Sequence, residues 1–160
     1  MTGPTGPTGP EATPSYGGVY VYDGAVAQSI SNGTTPIQMT CWSVTGGSDG
    51  RASGVTPQAA SSNIKITRAG KYQVIYNVSF LNNSSGSLWE FYIFSAGTQD
   101  QNTGAQCKTG TAGEINHVGG FGFIDVAIDD TVDLRCYHDV GSPKTITVGH
   151  ANLNVVYVGP

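Results

Sequence analysis

The chain has 160 residues, enough for one domain with a core of its own, and only 11% of them are charged, against about 25% in an average protein. A formal net charge of −4 and the lack of any basic run argue against a nucleic-acid partner. No segment approaches the roughly 18 consecutive apolar residues of a membrane span, and no apolar signal core follows a charged start.

The N-terminus carries three collagen-like triplets, which begin at Gly3, Gly6 and Gly9. Glycine at every third position is required by the collagen triple helix, because only glycine fits at its axis. A tract this short spans under ~30 Å and should not hold three chains together, so we expect the rest of the chain to supply the trimer. The sequence thus predicts the end of a longer stalk at 1–11, a hinge at 12–17 and a head domain at 18–160.

The head domain is predicted to be all-β. Small polar residues are abundant, and no segment has the 3.6-residue period of an amphipathic helix. About ten short strands at this spacing predict a sandwich, barrel or jelly roll. The predicted strands are 18–23, 25–30, 36–44, 62–67, 71–81, 87–95, 105–109, 117–128, 131–138 and 145–158.

Two of these strands, 117–128 and 145–158, carry apolar residues on both faces. A second sheet covers only one face of a strand, so we expect neighbouring subunits to cover the other. This argument and the collagen repeat both predict a homotrimer. The residues predicted to lie at the subunit interface are Ile75, Tyr76, Phe121, Phe123, Val155 and Tyr157.

The three cysteines are odd in number and form no CxxC pair, which argues against a disulfide framework or a zinc site. Cys41 and Cys136 share the phase of neighbouring apolar residues and are predicted to be core residues. Cys107 lies in a polar segment and is expected to be free or exposed.

Aspartates are concentrated in the last third of the chain, and two interpretations stay open. Asp129, Asp130 and Asp133 are candidate calcium ligands, since hard cations prefer several oxygen ligands, although the spacing matches no EF-hand loop. The other interpretation is that Asp129-Asp130 form a turn and the remaining aspartates cap strands or face solvent. We favour the second and expect no cofactor.

No catalytic constellation is evident, so we expect no enzymatic activity. The three histidines, His117, His138 and His150, are scattered and each lies beside a predicted loop. A Cys107–His117 nucleophile pair lacks a recognisable orienting group. Trp42, Trp89 and Tyr92 are either a stacking platform for sugars or core residues, and the alternation of Trp89 with other apolar residues favours the core.

Three segments resemble the globular head of complement component one-q, within the tumour necrosis factor superfamily. They are ITRAGKYQVIYNVSF (66–80), GFGFIDVAIDDTVDLRC (120–136) and ANLNVVYVG (151–159). The resemblance implies a ten-strand, two-sheet jelly roll packed as a homotrimer. It places strands 71–81, 117–128 and 145–158 in the inner sheet, near the threefold axis.

The Gly-Pro-Thr triplets resemble those of bacterial and viral collagens. The plan of a stalk and a trimeric head is similar to that of the collagen-like glycoprotein of the bacterial spore surface, the exosporium, and to collagen-like fibres of phages and large viruses. This resemblance implies an extracellular position on a spore, cell or virion. It also makes Thr5 and Thr8 candidate O-glycan acceptors, the alternative being a solvated spacer.

The function predicted from the sequence is that of a non-enzymatic surface protein. Its head forms the trimer, nucleates the stalk and displays loops for multivalent contact with a host glycan or protein. The alternative is a lectin-like receptor-binding head of a phage or viral fibre, with a defined glycan site.

Overall fold

The computed structural model describes residues 13–30, 35–45, 51–139 and 141–160. The collagen-like segment at 1–11, with Thr5 and Thr8, lies outside the described residues. Within those residues the chain forms β-strands and two short 3₁₀ helices, Ala59–Ser61 and Gln101–Thr103, and no helix is long and apolar enough to cross a bilayer. The all-β prediction is confirmed.

The described residues form thirteen strands. They are β1 (Tyr16–Val21), β2 (Val26–Ile30), β3 (Ile37–Gln38), β4 (Val44–Thr45), β5 (Val55–Gln58), β6 (Asn63–Ile66), β7 (Gly70–Asn82), β8 (Leu88–Ser95), β9 (Thr98–Gln99), β10 (Ala105–Lys108), β11 (Ile115–Val126), β12 (Thr131–His138) and β13 (Lys144–Gly159).

The strands form two antiparallel sheets. Sheet 1 has the order β11-β7-β13-β1-β4, with β2 also paired to β13. Sheet 2 has the order β10-β8-β12-β6-β5, with β3 paired to β12 and β9 to β8. The expectation that segments 71–81, 117–128 and 145–158 share one sheet is confirmed, since β7, β11 and β13 are neighbours in sheet 1.

The strand predicted at 36–44 is instead two strands in different sheets. β3 pairs with β12 in sheet 2, whereas β4 pairs with β1 in sheet 1. Between them the chain crosses from one sheet to the other, and Met39 and Cys41 are buried there. The apolar alternation that suggested one strand therefore marks a buried crossing.

The core lies between the two sheets. The inward side chains of β7 are Tyr72, Val74, Tyr76, Val78 and Phe80, and each is at most 1% exposed. Trp89, Phe91 and Ile93 of β8 face them from sheet 2 and are fully buried, so the prediction of a core role for Trp89 is confirmed. Burial of each such side chain contributes about 1.5–3 kcal/mol.

Two of the predicted interface residues belong to this core. Tyr76 and Val155 have no exposed surface, so the prediction that they contact a neighbouring subunit is wrong for both. The reason is the two-residue alternation of strands, which turns Tyr76 and Val155 inward and their neighbours Ile75 and Val156 outward.

Cys41 and Cys136 are buried and free, and their prediction as core residues is confirmed. Burial raises the pKa of the Cys41 thiol to about 12. Burial also raises the pKa of the Cys136 thiol, with a smaller contribution from the nearby Cys41. Neither thiol is therefore ionised near neutral pH.

The first described residues and the end of β13 lie at the same end of the sandwich, which we call the stalk end. The Arg68 guanidinium donates to the carbonyl oxygen of Thr13 at 2.8 Å. The backbone N–H of Tyr157 donates to the carbonyl oxygen of Ser15 at 2.7 Å. The opposite, distal end carries the turn at 22–25 and the loops at 83–87 and 109–114.

Candidate subunit interface

Exposed apolar side chains are concentrated on sheet 1. Eleven large hydrophobic side chains are exposed among the described residues. Nine of these lie on strands of sheet 1, two lie in turns (Tyr22 and Ile128), and none lies on a strand of sheet 2. The nine are Tyr16, Val26, Ile75, Leu81, Ile115, Phe121, Phe123, Val156 and Val158. A large exposed apolar patch on a protein surface commonly marks a binding surface.

The strand register places five of these exposed side chains near the stalk end, where they form what we call the apolar patch. Phe121 on β11 is paired with Ile75 on β7. Phe123 lies one row nearer the stalk end, in a row that continues through β7 to Val156 on β13 and Tyr16 on β1. Both phenylalanines lie on β11, the edge strand of sheet 1.

The middle of the same face is flat and amide-rich. Gly119 pairs with Asn77, and a Cβ atom at Gly119 would collide with the Asn77 side-chain oxygen. Gly18 and Asn154 are related in the same way, and Asn154 Nδ2 donates to Asn152 Oδ1 at 3.1 Å. Because glycine leaves room, these asparagine side chains can lie along the sheet.

Formal charge is sparse on this face, although Arg51 lines a surface pocket together with Tyr16, Ile75 and Val156 of the apolar patch. At the stalk end Lys71 Nζ forms an exposed ion pair with Asp125, at 2.8 Å. Between that pair and the distal end, the outward residues of β1, β7, β11 and β13 include no Asp, Glu, Lys or Arg. Sheet 2 differs, since it carries the ion pairs Lys65–Asp129 and Asp133–Arg135 at its surface or just beneath it.

A surface pocket of about 390 Å³ opens at the distal part of the sheet 1 face. Its lining includes His117 on β11, Ser79 on β7 and His150 on β13, which are paired in one row across three strands. The backbone N–H of Asp23 donates to His150 Nδ1 at 3.2 Å, and the Tyr22 ring lies 5.0 Å from the His150 ring.

All three histidines lie within strands, His117 at the distal part of β11, His138 at the end of β12 and His150 within β13. His117 and His150 are strand residues on the sheet 1 face, and His138 is buried in the core with Nε2 3.0 Å from the Ile30 carbonyl oxygen. The Cys107 thiol interacts with the backbone of His117, and its pKa is raised by burial. A raised pKa is the opposite of what an activated thiolate needs.

The three candidate calcium ligands have separate partners. Asp133 is only 3% exposed and accepts two hydrogen bonds from Arg135, at 2.7 and 3.1 Å. Asp129 pairs with Lys65, and Asp130 Oδ2 accepts from the Ala127 N–H within the turn. Across 13–30, 35–45, 51–139 and 141–160, no three His, Cys, Asp or Glu side chains are placed to share a metal ion.

The stacking platform considered for sugars is not assembled, because Trp42 and Trp89 are buried. Tyr92 lies on the outward side of sheet 2, and its partner there is Tyr137, which sequence reasoning missed. Their rings are nearly parallel, at 2°, with centroids 6.0 Å apart. The Tyr92 hydroxyl donates to Glu90 Oε2 at 2.7 Å, and this bond is the main cause of the raised pKa of Tyr92.

The six predicted interface residues are thus divided. Ile75, Phe121 and Phe123 are exposed on the sheet 1 face, while Tyr76 and Val155 are in the core. Tyr157 is half-buried at the stalk end, edge-on to Tyr72 at 5.4 Å and with the Arg68 guanidinium 3.9 Å from its ring centroid.

Comparison with known proteins gives a likeness of fold. No protein-family model and no curated protein sequence matches the chain. Among solved structures, the Eiger tumour necrosis factor of S. frugiperda superposes with a TM-score of 0.63 at 9% identity, over 91% of this chain and 94% of that one. The globular domain of zebrafish complement 1qA superposes with a TM-score of 0.56 at 14% identity, over 90% of this chain and 96% of that one.

Murine APRIL gives a TM-score of 0.53 at 11% identity, over 89% of this chain and 99% of that one. At these identities the likeness concerns the fold alone. The chain therefore has the two-sheet jelly-roll fold of the tumour necrosis factor and complement 1q heads, as the sequence resemblance implied.

Proposed function

We propose that the chain is the homotrimeric head of a collagen-like surface protein and acts without enzymatic chemistry. One observation carries the proposal: nine of the eleven exposed large hydrophobic side chains among the described residues lie on sheet 1, and none lies on a strand of sheet 2. Exposed apolar side chains on one sheet are costly to leave in water, and copies of the same chain can cover them.

Threefold symmetry limits how the copies can meet. A closed ring of three uses two different surfaces, one from each neighbour, repeated around the axis. Sheet 1 offers two such surfaces: its β11 edge, with Phe121 and Phe123, and the stalk-end part of β13 and β1, with Val156 and Tyr16. We propose that the β11 edge of one subunit packs on the face of the next.

This arrangement also protects β11. An edge strand exposes unpaired backbone N–H and C=O groups, and a long apolar edge is prone to aggregate. β11 has twelve residues and two exposed phenylalanines, so it is a long edge of this kind. Covering it with a neighbouring subunit removes the hazard and buries side chains that contribute about 1.5–3 kcal/mol each when fully buried.

The head would then align three stalks. Thr13 and Ser15 are anchored at the stalk end of the sandwich, so a threefold axis along sheet 1 brings three collagen-like segments to one place. The nucleated triple helix holds the heads away from the surface of a spore, cell or virion. Three copies of each distal loop can then turn weak contacts with a host glycan or protein into stable adhesion.

Sedimentation velocity tests the assembly directly. One chain has a mass of 16.6 kDa, so at low micromolar concentration we expect a species of about three times that mass at neutral pH. A single species at the monomer mass would refute the proposal, and a dimer would refute the threefold arrangement.

A lectin-like, receptor-binding head is the second candidate function. The observation that favours it is the Tyr92–Tyr137 pair on the outward side of sheet 2, which a trimer built on sheet 1 leaves exposed. Aromatic faces pack against the C–H faces of sugars, and Glu90 provides a hydrogen-bond acceptor beside them. A glycan array should give one strong hit that Tyr137→Ala abolishes; no hit with the wild-type head would exclude this candidate.

A further inference from the structure

Arg51 brings a positive charge to the apolar patch from the β1 side of sheet 1. The segment that carries it lies beside β1, where the backbone N–H groups of Tyr16 and Ser53 each donate to the carbonyl oxygen of the other, at 2.7 and 2.8 Å. On its other side β1 pairs with β13, and the strand order then leads through β7 to β11. The arginine and the two exposed phenylalanines of β11 therefore come from opposite sides of the sheet.

A surface pocket of about 300 Å³ opens where Arg51 meets the patch. Tyr16, Ile75 and Val156 supply most of its apolar lining, and Asn154 adds a side-chain amide. Its volume is at the lower limit of pockets that hold small ligands. An apolar lining with one guanidinium group suits an aromatic side chain that has a carboxylate beside it, since arginine binds both.

The stalk-end half of β11 presents this combination. Phe121, Phe123 and Asp125 alternate along the strand and project from its outward side, about 7 Å apart. Asp125 is the one acidic residue of β11. It pairs with Lys71 at 2.8 Å, but its side chain is 77% exposed, and a carboxylate accepts several hydrogen bonds. Asp125 can therefore accept a second cation without releasing Lys71.

The pocket and the β11 edge also lie at the same height along the strands. Phe123 shares a row of the sheet with Val156 and Tyr16, which line the pocket. Rotation about a threefold axis that runs along the strands leaves height unchanged, so the β11 edge of one subunit meets the next subunit at these rows. Asp125 is one row nearer the stalk end, a distance that a long arginine side chain spans.

We propose that the pocket at Arg51 receives the β11 edge of a second copy of this chain, with Phe123 against the apolar lining and Asp125 paired with Arg51. This inference rests on the proposed trimer and specifies its contact. Charge complementarity supports it, because the cation and the carboxylate lie on the two different surfaces that a ring of three brings together.

The chain contains the same arrangement within one subunit. The Arg135 guanidinium lies 4.2 Å from the centroid of the Phe94 ring and pairs with Asp133 at 2.7 Å. One arginine there covers a phenylalanine and binds an aspartate on the outward side of sheet 2. The proposed contact assembles these three kinds of side chain from two subunits.

A double-mutant cycle on the full chain tests the contact. Sedimentation velocity over a dilution series at neutral pH compares the wild type with Arg51→Gln, Asp125→Asn and the double variant. We expect each single substitution to raise the trimer dissociation constant by about tenfold or more. The double variant should stay within roughly threefold of the weaker single variant, because the second substitution removes a partner whose contact is already lost.

Asp129→Asn is the matched control. It removes the same charge from another exposed ion pair, Lys65–Asp129, whose lysine belongs to sheet 2. The dissociation constant of this variant should stay within about twofold of the wild-type value, since an exposed pair outside the contact contributes little.

Each other outcome has a definite meaning. A wild-type chain that forms no trimer refutes the proposed function itself. A trimer that neither single substitution weakens, or one in which the two effects multiply in the double variant, overturns the Arg51 contact and leaves the trimer standing. Equal weakening by Asp129→Asn also overturns it, because net charge would then explain the effect. Loss of the β-sheet circular dichroism signal in Arg51→Gln overturns it too, since Arg51 would then act in the folding of the single chain.

Discussion

The hydroxyl group of Tyr76 on β7 lies 3.0 Å from the carbonyl oxygen of Phe91 on β8, so a single buried side chain links the two sheets. The same hydroxyl lies 2.9 Å from the carbonyl oxygen of Thr103, at the end of a 3₁₀ helix. A Cβ atom at Gly120 would collide with the Tyr76 ring, which shows how closely β11 approaches it. Tyr76 thus fixes the spacing of the sandwich near its β11 edge.

Tyr76→Phe should destabilise the domain by about 1–3 kcal/mol, because the two carbonyl groups that share its single buried O–H proton lose that donor while the ring remains in place. Urea unfolding at a fixed protein concentration measures the change. Tyr16→Phe is the matched control, since it removes a hydroxyl from a tyrosine that is exposed, and it should change the free energy of unfolding by less than about 0.5 kcal/mol. Equal effects of the two variants would contradict the linking role of Tyr76.

Phe121→Asp should convert the proposed trimer into monomers without unfolding them. The side chain is 66% exposed in the isolated chain, so the substitution leaves the monomer core intact but puts a charge into the proposed contact. Sedimentation velocity reports the assembly and circular dichroism reports the fold. Ile128→Asp is the control, because Ile128 is 60% exposed but lies in a turn outside sheet 1; this variant should remain trimeric.

The lowered pKa of Glu90 predicts that the domain loses stability as the pH falls. Burial alone would raise the pKa of its carboxyl group, but hydrogen bonds from Tyr92, Gln106 and Tyr137 outweigh it, and the net effect is a pKa lowered from 4.5. Its stabilising contribution is therefore complete above the unfolded pKa and is lost as the pH falls through the folded pKa.

The free energy of unfolding of the wild type and of Glu90→Gln should accordingly differ at pH 6 and converge toward pH 3. Urea unfolding across that range measures both. A difference that stays constant with pH would show that Glu90 acts through packing rather than through its charge.

The cysteines should differ in reactivity toward an alkylating agent at pH 8. Burial raises the pKa of all three thiols, but Cys41 and Cys136 are buried, whereas Cys107 is half-buried. Because the thiolate is the reacting species, we expect mass spectrometry of the folded protein to show slow modification at Cys107 only, and modification of all three cysteines after unfolding. Rapid labelling of Cys41 in the folded state would contradict its place in the core.

The sequence shows where apolar residues alternate along a strand, but it does not show which face of a two-faced apolar strand is turned toward the core. Alternate side chains of β7, Tyr72, Val74, Tyr76, Val78 and Phe80, are buried, as the two-residue period of a strand with one core face requires. The sequence could not say which face of β13 is inward, because Val155 and Val156 are equally apolar and only the register with β7 and β1 separates them. Val155 was assigned to the wrong surface for this reason.

Features that depend on distant pairing were also missed. Tyr137 is brought beside Tyr92 by the pairing of β12 with β8, a relationship that no local pattern encodes. The row of His117 and His150 depends in the same way on β7, which lies between their strands in the sheet. The segment at 36–44 was predicted as one strand because a buried crossing and a half-buried strand can have the same apolar alternation.

The attachment of the N-terminal segment has a mechanical consequence. β1 begins at the stalk end and runs antiparallel to β13 over six paired residues, from Tyr16 to Val21. A pull on the N-terminal segment, with the distal loops held, is directed along β1. The hydrogen bonds to β13 then bear the load together, in shear, rather than opening one after another as in a zipper. Arg68 adds a tether at the point of entry, through its bond to Thr13. A head held in this way should resist detachment forces well above those that unzip a hairpin.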